Sequence, residues 1–247
     1  FQVTQRRGRR ESAATAFLAP AARRSNLTVR TYAHVTRLLW EGTRCRGIEY
    51  RRDGARQRVE ADAEVLLCAG AVNSPQLLML SGVGPADDLA EVDIDPVVDL
   101  PGVGRNLQDH LVAPVCQVCP EPIDLARADS PAGRLQYRVG RTGPLTSNVA
   151  EAGGFVAISE SPPWPDLQFH FIPSYFISHG RVEPPGDGFS LGSTLVAPHS
   201  RGSLTLRSAH PFDAPTIQPR YLADERDAKR LVEGLKLARR IIAAPAF

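Results

Sequence analysis

The stretch Glu64-Val65-Leu66-Leu67-Cys68-Ala69-Gly70-Ala71-Val72-Asn73-Ser74-Pro75-Gln76-Leu77-Leu78-Met79-Leu80 decides how this chain is read. Glu64 to Gly70 is an apolar run of the kind found in strands buried on both faces. Gly70 and Ala71 then permit a tight turn, Ser74 suits an N-cap and Pro75 suits the first helical position. A helix is therefore expected from Gln76 to Leu80, ended by Gly82. A buried strand running through small residues into a helix N-terminus lets backbone come close to a bound cofactor. The same residues would equally make a plain packing turn, and local chemistry alone does not choose.

Upstream, Ser12 to Leu18 reads as a short helix capped by Ser12 and stopped near Pro20. Leu27 to Thr31 and Val35 to Trp40 read as strands. Gly47 to Tyr50 starts another, turning at Asp53-Gly54 into Gln57 to Ala61, so a meander is expected beside a larger sheet. Downstream, Gly82-Val83-Gly84-Pro85 reads as a helix-ending turn. Gly102-Val103-Gly104-Arg105-Asn106-Leu107 begins like a dinucleotide fingerprint after the strand-like Pro96 to Leu100. Leu107 replaces its third glycine, Pro101 intrudes at the turn, and no acidic residue lies in strand context about 20 residues on, so it is rejected as a phosphate cradle.

Beyond about residue 111 the chain turns to proline-broken strands: Phe155 to Ile158, Leu167 to Ile172, Ser190 to Val196 and Ser203 to Arg207. Their spacing predicts a mostly antiparallel sheet, with Gly/Pro/Asp-rich connections at 178–188 and 208–219. A final helix is capped by Asp224 and carries one apolar stripe, Ala228, Leu231, Val232, Leu235, Ala238 and Ile242, before Pro245 stops it.

The 247 residues are 43% hydrophobic and 23% charged, the make-up of a soluble globular chain of one large or two modest domains. No apolar run approaches the roughly 20 residues of a membrane span. A net charge of +2 does not by itself imply a polyanionic partner. Arg6, Arg7, Arg9 and Arg10 cluster, with Arg23 and Arg24 nearby, yet without interleaved aromatic residues they read as a solvated face or ion-pair partners. Nucleic acid is not expected. Cys45, Cys68, Cys116 and Cys119 are too sparse for a disulfide scaffold. Cys116-x-x-Cys119 lies in a strand-like run where a spacing of three puts the sulfurs on opposite faces, so no metal is expected. A reducing, cytoplasmic setting fits, with peripheral association with a membrane left open. The first residue is Phe1 and the only methionine is Met79, so a processed or partial chain is expected; no signal-peptide pattern opens it.

Gly70 to Pro85 resembles the second signature of the glucose–methanol–choline (GMC) oxidoreductases. Leu100-Pro101-Gly102-Val103-Gly104-Arg105-Asn106-Leu107-Gln108-Asp109-His110 resembles the segment that follows it there. Ser200-Arg201-Gly202-Ser203-Leu204-Thr205-Leu206 resembles a later block, and Tyr221-Leu222 leading into the final helix also fits. The resemblance covers essentially the whole chain and is nearest in character to choline dehydrogenase-like members. It implies an α/β plus α+β fold: an incomplete FAD-binding Rossmann-like domain over residues 1–112, and a mostly antiparallel-sheet substrate domain over 113–247. It implies FAD as cofactor and oxidation of an alcohol, choline-like or another primary alcohol, to an aldehyde by hydride transfer to the flavin, with a histidine as base.

By position, the resemblance sets Val35 against the adenine and Cys68, Ala69, Gly70 and Ala71 where the chain passes the FAD. Glu151 matches the place where choline-acting relatives hold a carboxylate near the trimethylammonium group, a sensible use of charge in a partly dry pocket. Phe169 and His170 lie on the strand resembling the sheet that roofs the flavin; as strand neighbours they face opposite sides, so at most one lines the pocket. His110 matches a segment of loop and packing character. His34, His179, His199 and His210 form no convincing triad with Ser or Cys and a carboxylate. No catalytic residue is assigned: the resemblance implies that the histidine base lies beyond Phe247 and the Gly-x-Gly-x-x-Gly turn before Phe1, so the 247-residue piece alone is expected neither to retain FAD nor to oxidise alcohols. The expected partner is a small alcohol, with the electron acceptor open. A non-catalytic scaffold or binding module derived from this fold is the alternative.

Overall fold

The computed structural model describes residues 3–119, 125–158, 164–175, 177, 181–182 and 186–247. In chain order its named elements are β1 (Gln5–Arg6), β2 (Arg9–Arg10), α1 (Ala19–Ala21), β3 (His34–Glu41), β4 (Arg44–Arg52), β5 (Ala55–Glu60), α2 (Gly70–Leu80) and β6 (Val83–Gly84). There follow α3 (Ala86–Ala90), β7 (Val98–Asp99), β8 (Val112–Val118), α4 (Pro131–Gly140), β9 (Ala152–Val156), β10 (Leu167–Ile172), β11 (Gly188–Leu195), β12 (Ser203–Thr205), β13 (Thr216–Gln218) and α5 (Glu225–Ile242). They form two compact units, each built from separate stretches of chain: Thr28–Asp109 with Ser200–Ala223, and Phe1–Leu27 with His110–His199 and Asp224–Phe247. The chain crosses between units at Leu27 and Thr28, at Asp109 and His110, at His199 and Ser200, and at Ala223 and Asp224. Packing explains the return at Ser200: Leu204 is buried in one cluster with Met79, Leu80, Leu89, Ile94 and Val103.

In the first of these units β3, β4 and β5 make the expected antiparallel meander, with Leu38 opposite Ile48 and Val35 opposite Tyr50. Asp53 and Gly54 both take positive φ, 51° and 77°, the backbone that a two-residue hairpin turn demands. Leu38 donates its backbone N–H to Ser81 Oγ at 2.8 Å, and Trp40 Nε1 donates to the Ser81 carbonyl at 2.8 Å, tying β3 to the end of α2. Gly82 ends that helix at φ +82°, as expected. Val83 then pairs parallel with Val98.

Three expectations here need correction. The helix starts at Gly70, so Ser74 and Pro75 lie inside it instead of opening it. Pro75, the sixth residue of the helix, forgoes the N–H bond to the Ala71 carbonyl, a cost that burial of Leu77, Met79 and Leu80 on the same helix offsets. Glu64 to Ala69 is not a buried strand: Leu66 is 75% exposed and no strand pairs with the run among the described residues. Leu27 to Thr31 likewise has no ladder partner among the described residues. An apolar run becomes a strand only when a neighbour takes up its backbone N–H and C=O groups.

The second unit is a four-stranded antiparallel sheet, order β8-β11-β10-β9, with α5 on one face. Leu231 of α5 packs with Leu167 and Leu195, and Ala238 packs with Phe169 and Leu191. The expected helix stripe shifts: the buried line is Asp227, Leu231, Gly234 and Ala238, whereas Val232 is 48% exposed. Asp224 caps α5 by accepting from the Arg226 N–H at 3.0 Å. Near the N-terminus Ser12 Oγ accepts from the Thr15 N–H at 3.2 Å, and the helical run ends at Ala21, one residue past Pro20, as expected. β9 ends at Val156, short of the expected Ile158. All four cysteines are free thiols. His179 lies outside the described residues.

Candidate functional site

The N-terminus of α2 is built from residues with almost no side chain. Ala69 holds the N-cap position and makes no side-chain cap, and the first turn carries no acidic residue. Gly70 sits at φ +84°, and a Cβ built there would meet no atom within 4 Å. Glycine is needed for the backbone conformation, and it leaves open space above the first-turn N–H groups. Those groups lack intrahelical partners and sit at the positive end of the helix dipole, so the end attracts an anion. Val35 and Ala69 border one cavity of about 240 Å³ that runs along the helix past Asn73 and Gln76. Val35 also borders a more apolar cavity of about 380 Å³ with Ile48, Tyr50 and Val59. Cys68, Gly70 and Ala71 are exposed at the same helix end.

The structure thus brings Val35 and Ala69, far apart in sequence, to one cavity. It also supports rejecting the Gly102-Val103-Gly104 turn as a phosphate cradle. A Cβ at Gly104 would overlap the carbonyl of Leu204, and the Leu204 N–H donates to the Gly104 carbonyl at 2.6 Å. Gly104 is glycine for close packing of two backbones.

In the sheet unit, α5 covers one face, and strand alternation sorts the residues between that face and the other. Phe169 lies on the covered face, 4% exposed and packed with Leu191 and Ala238, which corrects its expected substrate-binding role to a packing one. His170 faces the other way, with Gly153 of β9 and Gly192 of β11 directly opposite it on its two sides. Both glycines are tightly neighboured: a Cβ on Gly153 would run into the Phe169 carbonyl, and one on Gly192 would come within 3.1 Å of Val112 Cγ1. Glu151 precedes β9 by one residue; its N–H donates to the Phe171 carbonyl at 3.0 Å, and alternation sets its side chain on the His170 face.

Burial, and next the nearby His110, push the His170 imidazole below its ordinary range. It is therefore neutral at neutral pH, with one nitrogen free to accept and one to donate. His110 is the residue that sequence reading passed over as packing. It stands just before β8, the strand whose Pro114 pairs with Gly192 beside His170, and its charge adds to the lowering of the His170 pKa. In the α/β unit Tyr221 donates to Asp109 at 2.5 Å, and this hydrogen bond raises the phenol's pKa. Among the described residues no cluster of His, Cys, Asp and Glu could hold a metal ion, and no helix is long and apolar enough to cross a membrane.

A helix N-terminus beside an apolar cavity is one feature of dinucleotide-binding α/β folds. Family comparison agrees: two models, both described as GMC oxidoreductase, match residues 1–112 and 198–247. The chain belongs to the GMC oxidoreductase family. It is 50% identical over 98% of its length to an uncharacterized GMC-type oxidoreductase of Mycobacterium tuberculosis, covering 46% of that protein. It is 46% identical over its whole length to the alcohol dehydrogenase [acceptor] of Pseudomonas putida and 44% identical to the mitochondrial choline dehydrogenase of Mus musculus, covering 46% and 42% of them. A structure of Aspergillus oryzae formate oxidase, described for its FAD modification, superposes with a TM-score of 0.86 at 27% identity over 95% of this chain and 46% of that one. The chain spans about half the length of the curated relatives it matches.

Proposed function

We propose that this chain forms part of an FAD-dependent oxidoreductase acting on CH–OH groups, which oxidises a primary alcohol to an aldehyde. The observation that carries the reading is the open, uncapped N-terminus of α2 beside the Val35 cavity, in a chain of the GMC family. These residues fit FAD: the first-turn N–H groups suit its pyrophosphate, Val35 and the apolar cavity suit its adenine, and Gly70 removes the side chain that would block the approach. When bound, FAD supplies the two-electron acceptor for the hydride leaving the carbinol carbon. The unit of Thr28–Asp109 with Ser200–Ala223 carries the FAD-binding role and the other unit the substrate-binding role.

On the substrate side, neutral His170, on the sheet face that α5 leaves uncovered, accepts a hydrogen bond from the alcohol hydroxyl and orients it. Glu151, on the same face, attracts a cationic substrate, which favours a choline-like alcohol. Four free thiols agree with a reducing, cytoplasmic setting. The test uses the full-length protein. Gly70→Val is expected to lower flavin absorbance per chain with unchanged circular dichroism, and undiminished flavin content would sink the cofactor reading. Glu151→Gln is expected to raise KM for choline about tenfold while leaving an uncharged primary alcohol unaffected. Equal effects on both would remove the cationic substrate and keep the alcohol.

A further inference from the structure

We propose that a cleft beside Phe212, on the arginine-bearing face of the β3-β4-β5 sheet, binds a small phosphate-bearing anion; the cleft adjoins the cofactor cavity at Leu80 and Pro211 but is lined by its own charged residues. Arg51 of β4 lies directly opposite Arg56 of β5, and Glu49 lies opposite Arg58, so four charged side chains share one face of an antiparallel pair. Like charges facing each other across a ladder repel. One carboxylate offsets them: Glu49, nearly buried, lies 3.4 Å from Arg56 and 3.2 Å from Arg58. Two guanidiniums thus share one negative charge. Arg51, and Arg37 on β3, have no carboxylate partner among the described residues, and this face keeps a surplus of positive charge.

The surplus is concave. A cavity of about 320 Å³ is bordered by Arg37, Arg51, Arg56, Glu49, His210 and Phe212. Its aromatic wall is held from several sides. His34 stacks on Phe212 with centroids 4.5 Å apart and planes 24° apart, His210 lies 5.7 Å from the same ring, and the Arg51 guanidinium sits 5.8 Å from the ring centroid. Phe212 therefore helps hold Arg51 at the rim of the cleft. Three guanidiniums around one hollow offer parallel N–H pairs to several oxygens at once, which matches a phosphoryl group better than a single carboxylate. Aromatic and arginine side chains together suit a phosphate ester with an organic portion that lies against Phe212. Nothing in the oxidation of an alcohol calls for this charge, so the site would serve a second ligand.

The test titrates the full-length, flavin-loaded protein with inorganic pyrophosphate by calorimetry at constant ionic strength, with citrate as the control for charge alone. Saturable binding at one site per chain is expected, with flavin absorbance retained. Arg51→Met and Arg37→Met should each weaken it about tenfold, the loss of a charge-assisted hydrogen bond, while Arg58→Met, outside the cleft, should change it less than about twofold. Independently of any variant, pyrophosphate should protect Arg51 from phenylglyoxal, read by mass spectrometry. Absence of saturable binding, equal affinity for citrate, release of flavin during the titration, or an unprotected Arg51 would each overturn the proposal.

Discussion

Gly234 of α5 and Ser193 of β11 meet without a side chain between them: a Cβ on Gly234 would run into Ser193 Oγ and come within 2.9 Å of Leu167 Cδ1. Ser193 is fully buried, and its hydroxyl has no hydrogen-bond partner among the described residues. Helix and sheet approach so closely here that Leu231 and Ala238, on either side of Gly234, reach Leu195 and Leu191. Glycine inside a helix costs roughly 1 kcal/mol relative to alanine, and the tight packing is what offsets it. Gly234→Val is expected to lower unfolding free energy by about 2 kcal/mol, as overpacking a filled core does. Adding Ser193→Gly should recover part of the loss. Urea denaturation of the single and double variants measures both, and additive effects would show that the two residues do not share one contact.

The two glycines of the Gly102-Val103-Gly104 turn should respond differently. Gly104 has φ +76° and no room for a Cβ against the Leu204 carbonyl, so Gly104→Ala is expected to cost about 2 kcal/mol or more. Gly102 has nothing within 4 Å of a Cβ position, so Gly102→Ala should stay within about 0.5 kcal/mol of the parent. Equal losses in thermal unfolding would contradict the packing role given to Gly104.

Asp227 tests the start of α5. It is 1% exposed and accepts from the His199 N–H at 2.8 Å, a buried bond to a charged acceptor. Asp227→Ala leaves that donor unpaired and should destabilise the protein by about 1–3 kcal/mol. Asp227→Asn retains an acceptor oxygen and should lose less, and the difference can be read from the urea midpoints.

His170 gives the stability a pH dependence. Its pKa is lower in the folded protein than its ordinary value of 6.5, chiefly through burial and then through His110. The unfolded chain therefore binds the proton more readily. The contribution to stability is fully present above the unfolded value and is lost as pH falls through 6.5 toward the folded value. His170→Gln is expected to flatten the stability profile between about pH 7 and 5, with His110→Gln giving a smaller change in the same direction. An unchanged slope in either variant, measured by denaturant titration across that range, would place the coupling elsewhere.

Much of the framework is written locally. Asp224 announces the start of α5, the Asp53-Gly54 turn joins β4 to β5, and the alternation around Leu167 and Phe169 marks β10, because caps, turns and a period of two act between near neighbours. Other questions had no local answer. Leu66 has the residues of a buried strand but no ladder beside it, and the choice between Phe169 and His170 depended on which face α5 covers. His110 acts on His170 from a distant part of the chain, and Leu204 joins the core of Met79 after a long excursion through the other unit. Sequence alone determined the turns, caps, periodicity and motif order, whose energies are set within a few residues. Tertiary structure decided which faces are buried, which backbones touch and which imidazole is held neutral, because burial and proximity come from partners distant in the chain.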